Sequence, residues 1–243
     1  HQVTLFSLRN VCKYALPEGI DYQVVESDSK VPWRKLTELK RRAAGLDRAI
    51  AASEMQAGSF DLVFSHLHKT DRIVARCKNL SPEKMWYCIH GILSTSYLGH
   101  RKGIDRWIKL RKIARIYQGK NIVAVSQAVA DDLQTRLSIT PRRLAVINNP
   151  FDIAHLLAQA EQPFSLTKEP YIVHVGRFHP TKRHDRLLKA YAGTGIEAKL
   201  VLAGTGDEAR IASVKELAEK LGINDRVIFA GFQANPCLLY TSD

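Results

Sequence analysis

The chain has 243 residues, with 36 Lys+Arg against 24 Asp+Glu and a formal net charge of +12. It is 45% hydrophobic and 25% charged, with 14 Gly and 9 Pro, which excludes collagen-like, low-complexity and charge-driven disordered chains. No stretch approaches the ~20 apolar residues that span a bilayer. Nothing near the start reads as a signal peptide, although the chain opens on His1 rather than Met.

In chain order, β-branched or apolar runs bounded mostly by Gly, Pro, Asn or Asp predict strands at residues 3–8, 22–25, 61–65, 85–89, 121–125, 144–147, 171–175, 199–203 and 226–230. Between them, Leu36, Leu39, Ala43, Leu46 and Ile50 form one apolar stripe on a long helix starting near Pro32. Further helices are expected over residues 105–117, 128–137, 185–192 and 207–221, the last closed by Gly222. Strands alternating with helices predict a doubly wound α/β fold with mainly parallel strands. The runs YIVHV and KLVLA are nearly all apolar, as in central parallel strands covered on both faces.

A boundary is expected near Asn149-Pro150. It separates a domain at 1–152 from a linker at 153–169, which carries Gln162-Pro163 and Glu169-Pro170, and a second domain at 170–236. The charge follows this division: residues 1–152 hold 25 basic and 14 acidic residues, and the remainder 11 and 10. The basic half implies an anionic partner there, or else a solvated basic surface. Cys12, Cys77, Cys88 and Cys237 are widely spaced and read as reduced thiols of a cytoplasmic protein. No Cys or carboxylate cluster beside His66 and His68 gives metal-ligand spacing. Those two histidines read as structural or acceptor-side.

In parallel α/β sheets ligands bind at the carboxyl ends of strands. The most informative end is YIVHVGRFHPTKRHDRLLKA. A strand stops at Val175, Gly176 turns the chain, Arg177 and Lys182 follow, and a helix begins near Asp185. Two cations beside a helix N-terminus suit a diphosphate; the same residues also fit a loop with solvated cations. Gly204-Thr205-Gly206 reads as a tight strand-to-helix turn, with Asp207-Glu208 as helix-start residues. The segment DRWIKLRKIARIYQGK, from Asp105 to Lys120, places Trp107, Ile108, Ile113 and Tyr117 on an apolar side rimmed by Arg106, Lys109, Arg111, Lys112 and Arg115. Such a helix either lies on an anionic membrane or packs on a core with a basic rim.

The GR-to-Lys loop, the later L-x-G-x-G and RVIFAGFQANP, preceded in order by HQVTLFSL, FSHLHKT, YCIHG, AVSQAVADDL and VINNPFD, resemble the large retaining glycosyltransferase family 4 of GT-B architecture. The flavour is the bacterial envelope type, which builds lipopolysaccharide, O-antigen or capsule. The resemblance implies two Rossmann-like domains that close over a nucleotide-diphosphate sugar, a UDP- or GDP-sugar, with no metal or further cofactor required. It implies that Gly176, Arg177 and Lys182 hold the diphosphate, that backbone at Gly231 and Phe232 meets the base, and that His90 faces the donor sugar. A capping or core role for His90 is the alternative. The implied partners are the nucleotide sugar, a glycan or lipid-linked acceptor, and an anionic inner-membrane surface.

Two departures from the family pattern stand out. The Gly-rich loop that precedes the equivalent of HQVTLF is absent, and so is the pair of glutamates expected beyond the GF–NP region. The chain is therefore expected to be the middle of a larger enzyme, with an incomplete second domain and no turnover alone. Residues 237–243, CLLYTSD, resemble a translated sequencing adapter, with a genuine apolar strand as the alternative. Other classes compatible with the pattern are an epimerase or hydrolase of the same fold and a basic nucleic-acid module. No nucleic acid is expected, because no recognition motif is present.

Overall fold

The apolar runs form parallel strands. In the computed structural model, which describes residues 2–10, 12, 16–25, 34–161, 169–236 and 239, β1 (Val3–Ser7) and β2 (Ile20–Val24) make a two-stranded sheet. Then β3 (Val63–His66), β4 (Met85–Ile89), β5 (Asn121–Ala124) and β6 (Arg143–Val146) make a four-stranded sheet in that order. A third sheet is β7 (Tyr171–Val175), β8 (Lys199–Ala203) and β9 (Val227–Gly231). Every strand pair among the described residues is parallel. The chain divides into two units, His1–Asn149 and Pro150–Asp243.

In the first unit, α1 (Arg34–Ala57), α2 (His68–Val74), α3 (Gly103–Tyr117) and α4 (Gln127–Asp131) supply the helices. The predicted start of α1 at Pro32 lies outside the described residues. The stripe Ala43, Leu46 and Ile50 is buried as expected, with Ile73, Ile113, Tyr117, Ile122 and Leu133 in the same core. The helix expected over 128–137 is broken. Ser126 caps α4 by accepting from Val129 N, and a π-helical turn (Asp132–Arg136) continues it. The π turn opens on Asp132, which is buried and accepts hydrogen bonds from the backbone N and the hydroxyl of Ser94. A π turn rotates a side chain to meet such a partner. Ser94 itself opens a second π turn (Ser94–Leu98).

In the second unit, α5 (Ile153–Ala160) is capped by Asp152 and α7 (Glu208–Lys220) by Asp207. Between them lies α6 (His184–Ala192). The end of α7 is a Schellman closure: Ile223 N donates to Ala218 O at 3.1 Å and Gly222 N to Glu219 O at 2.9 Å. Leu188, Leu200, Leu202, Val214 and Ile223 form the core between sheet and helices. Leu239 is also buried, and its carbonyl accepts from Tyr171 Oη at 3.1 Å.

The carboxyl ends of β7, β8 and β9 are laced by backbone. Gly176 N donates to Ala203 O at 2.9 Å, Phe178 N to Thr205 O at 2.8 Å, and Gly204 N to Gly231 O at 2.7 Å. A Cβ on Gly204 would lie 2.1 Å from Gly176 O, and one on Gly206 would lie 2.5 Å from Phe178 Cβ. Neither position has room for a side chain, so L-x-G-x-G is a packing requirement. Gly204→Ala is expected to destabilise the second unit by roughly 2–4 kcal/mol, the scale of a forced backbone overlap. Urea unfolding followed by circular dichroism measures it, and an unchanged midpoint would exclude the close approach.

Candidate active site

The laced strand ends carry the cationic loop. Arg177 leaves β7 one residue after Gly176 and is exposed. A 3-10 turn (Pro180–Lys182), whose N-terminal end is capped by His179 Nδ1 accepting from Thr181 N at 3.3 Å, brings Lys182 back toward Gly176. The stem of Lys182 lies 3.6 Å from where a Gly176 Cβ would stand. Arg183, at φ 52°, grips Asp185 through two hydrogen bonds of 3.0 and 2.7 Å. That guanidinium holds the Asp185 carboxyl down at about 2. Arg183 and Asp185 thus neutralise each other. Arg177 and Lys182 form no ion pair among the described residues and stay available to an anion at the start of α6.

Beneath this loop sit two histidines. His184 is buried and stacks on Phe178 with ring centroids 4.5 Å apart. His174 meets it edge-on at 4.9 Å. Burial first, then neighbouring charge that includes Lys182, lowers the pKa of both. Neutral rings under the loop leave its positive charge to the two exposed cations. Gly231 closes β9 and is tied to Gly204, and Phe232 beside it is 72% exposed.

The first unit holds a different site. His90 follows β4, is exposed, and its Nε2 lies 2.9 Å from His66 Nδ1 at the end of β3. Next to it is a cavity of about 130 Å3 lined by Leu67, His68, Asp71, His90, Gly91 and Tyr117, among others. Its floor is a hydrogen-bonded chain. Ser65 Oγ donates to Asp71 Oδ1 at 2.5 Å and Tyr117 Oη donates to Asp71 Oδ2 at 2.7 Å. Because that phenol proton is committed, His68 Nδ1–H donates to Tyr117 Oη at 3.0 Å. Burial pushes the Asp71 carboxyl up to about 6 and His68 down to about 4, the latter helped by Arg72 and Lys109. Burial and the Asp71 charge also raise the Tyr117 phenol. Among the described residues no group of three or more His, Cys, Asp or Glu side chains could hold a metal.

The predicted residues fall as two sets. Gly176, Arg177, Lys182, Gly231 and Phe232 lie at the carboxyl ends of β7 and β9, the two strands that flank β8, and His90 lies in the first unit. Sequence reasoning missed Ser65, Asp71 and Tyr117. Tyr117 was assigned to the apolar side of α3, and only its hydroxyl hinted at the network. The predicted apolar side of that helix also needs correction. Ile113, Ile116 and Tyr117 enter the core, whereas Trp107 is 53% and Ile108 40% exposed. Six residues separate Trp107 from Ile113, which puts them on different helix faces. The Trp107 ring instead lies under Arg111, 4.7 Å from its guanidinium carbon.

Parallel sheets flanked by helices in two units are those of an α/β protein of GT-B type. The chain belongs to glycosyltransferase family 4: that family's profile matches residues 1–155, and the profile described as glycosyl transferases group 1 matches residues 158–242. A curated relative in Campylobacter jejuni, N-acetylgalactosamine-N,N'-diacetylbacillosaminyl-diphospho-undecaprenol 4-alpha-N-acetylgalactosaminyltransferase, is 31% identical over 117 residues, which is 47% of this chain and 31% of that enzyme. Among solved structures, sucrose-phosphate synthase from Thermosynechococcus elongatus matches 99% of this chain and 63% of its own at TM-score 0.71 and 17% identity. Anabaena HepE in complex with UDP and glucose matches 91% of this chain and 58% of its own at TM-score 0.63 and 20% identity. These matches cover less than two thirds of each relative's length.

The buried network predicts an acid response. Asp71, raised from an ordinary 3.8 to about 6, adds stability below about pH 4 that is lost as pH rises through about 6. His68, lowered from 6.5 to about 4, adds stability above 6.5 that is lost as pH falls through about 4. The two slopes oppose each other. Asp71→Asn removes the first and leaves the second, so its melting temperature should fall more steeply than that of the wild type between pH 6.5 and 4. Parallel slopes in thermal melts would mean that Asp71 ionises as an ordinary carboxylate.

Proposed function

We propose that this chain is part of a retaining glycosyltransferase that moves a sugar from a UDP- or GDP-sugar to a cell-envelope glycan or lipid-linked acceptor. The observation that carries the reading is the pair of exposed, unneutralised cations, Arg177 and Lys182, at the start of α6 and beside the laced strand ends. The departing nucleotide diphosphate gains negative charge as the sugar bond breaks. Arg177, Lys182 and the N–H groups at the start of α6 would stabilise that charge. Gly231 and Phe232 close β9, on the other side of β8, and would meet the base, and His90 would meet the donor sugar. Anabaena HepE, which shares the fold, binds UDP, and the Campylobacter relative is named for a diphospho-undecaprenol acceptor, which supports both halves of the reaction. The relative's transferase name favours transfer over epimerisation.

In the full-length enzyme, Arg177→Ala and Lys182→Ala should each lower kcat/KM for the nucleotide sugar by about 100-fold, the scale of removing one charge-stabilising group. Steady-state assays of sugar transfer measure it, and near-wild-type turnover in both variants would refute the role.

The same reading includes docking on the cytoplasmic face of an anionic inner membrane. On α3, Ile104 at 77% exposure joins Trp107 and Ile108 among Arg106, Lys109, Arg111 and Lys112. Exposed apolar side chains ringed by cations suit an acidic headgroup layer. No helix among the described residues is long and apolar enough to cross a membrane. The protein should sediment with phosphatidylglycerol vesicles at low salt and be released at high salt, and Trp107→Ala with Arg111→Ala should weaken that binding. Binding indifferent to lipid charge would refute the docking face.

A further inference from the structure

His66 and His90 end neighbouring parallel strands. The β3–β4 ladder pairs His66 with Cys88, and the β4–β5 ladder continues only to Ile89 against Ala124. His90 therefore stands one residue beyond the last ladder pair of its strand. Its ring is tilted 34° from that of His66, with centroids 5.2 Å apart. The contact between His66 Nδ1 and His90 Nε2 at 2.9 Å is the only hydrogen bond to the His90 ring among the described residues. On the far side the chain turns at Gly91, where an added Cβ would meet nothing within 4 Å. Without His66, then, the exposed His90 ring would lose its one hydrogen-bonded restraint among the described residues.

We infer that His66 is a positioning residue for His90: it holds that ring by Nε2 and leaves Nδ1 as the nitrogen presented to the sugar of the donor. This rests on the donor-sugar role proposed for His90 above. The geometry carries a strict consequence for the protons. If His66 Nδ1–H donates, His90 accepts at Nε2 and must carry its own proton on Nδ1. If His90 Nε2–H donates, His66 accepts at Nδ1 and must carry its proton on Nε2. The two neutral rings are therefore always in the same tautomer, both Nδ1–H or both Nε2–H. In either state His90 offers the ligand Nδ1 and nothing else, as donor in the first and acceptor in the second. Parallel register makes this possible, because it brings the ends of two adjacent strands to the same edge of the sheet.

The test uses protein labelled with 15N-histidine and two-bond 15N–1H correlation spectra, with His66→Ala and His90→Ala assigning the two rings. The same tautomer is expected in both, and His66→Ala should change the nitrogen shifts of His90. Adding UDP-glucose should move His90 Nδ1 more than Nε2. In the full-length enzyme, His66→Ala should lower kcat about 10-fold with donor KM within about 2-fold, as expected when a group is mispositioned rather than lost. His66→Asn, whose amide nitrogen can stand in for Nδ1, should recover most of that loss. A purely structural role would show the coupled tautomers but neither the loss of kcat at nearly constant KM nor the Asn rescue. Opposite tautomers, a His90 spectrum unaffected by His66→Ala, or wild-type kcat in His66→Ala would each overturn the inference. A wild-type enzyme that turns over no nucleotide sugar would overturn the donor reading and with it the role of Nδ1, whereas the pairing stands or falls on the tautomers alone.

Discussion

The approach of two backbones at Gly176 and Gly204 is the constraint on which the second unit's site depends. With a Cβ on Gly204 placed 2.1 Å from Gly176 O, the two strand ends can meet only if Gly204 has no side chain. That contact sets where β7 stops and so where Arg177 leaves the sheet. It also leaves a surface at Gly176 on which the Lys182 stem rests. The cations are long and flexible, and their own entropy would scatter them. What localises them is a rigid floor of backbone hydrogen bonds across three strand ends, with the neutral rings of His174 and His184 packed below. Arg183 lies next in sequence yet is tied up by Asp185, which leaves Arg177 and Lys182 as the loop's two cations outside that pair.

The first unit solves a different problem with side chains in place of backbone. Its cavity floor needs polar groups, and buried polar groups cost free energy unless they are paired. Ser65, Asp71, Tyr117 and His68 pair in sequence, drawing on β3, α2 and α3. One carboxylate receives two hydroxyls, and one hydroxyl passes the chain on to an imidazole. The result is a hydrogen-bonded wall beside the His66–His90 pair whose one buried carboxyl, Asp71, is held by two hydroxyls.

Much of this was legible in the sequence. The strands at Met85–Ile89, Tyr171–Val175 and Lys199–Ala203 were readable to the residue, because buried parallel strands are short, nearly all-apolar runs between turn residues. The capping of α7 by Asp207 and its closure at Gly222 were readable for the same local reason. The helix α2 was not, since HKTDRIV spans about two turns and carries too little periodicity to register. Tyr117 was placed on the buried side, as found, but the role of its hydroxyl was missed because a tyrosine reads as apolar by pattern and acts as polar through one atom. The pairing of His66 with His90 depends on strand register. In chain order 24 residues separate them, and nothing in composition marks that distance as a contact.

The charge asymmetry also changes meaning once side chains are placed. An excess of cations over residues 1–152 could be a solvated surface with no partner. On α3, however, the inward face is satisfied by Ile113, Ile116 and Tyr117, so the helix does not need Trp107, Ile104 or Ile108 to hold it to the core. A helix that only packs would bury its large apolar residues and leave charge outside. This one leaves a tryptophan and two isoleucines outside, among the charges. Leaving them in water forgoes about 1.5–3 kcal/mol of burial for each large apolar side chain. Tyr97 and Trp107 each lie under a cation of the same helix, Lys109 and Arg111 respectively, which keeps charge and apolar surface on one face. Under the proposed docking such a face would meet a partner that is both anionic and apolar, and an acidic lipid layer has both properties in one surface.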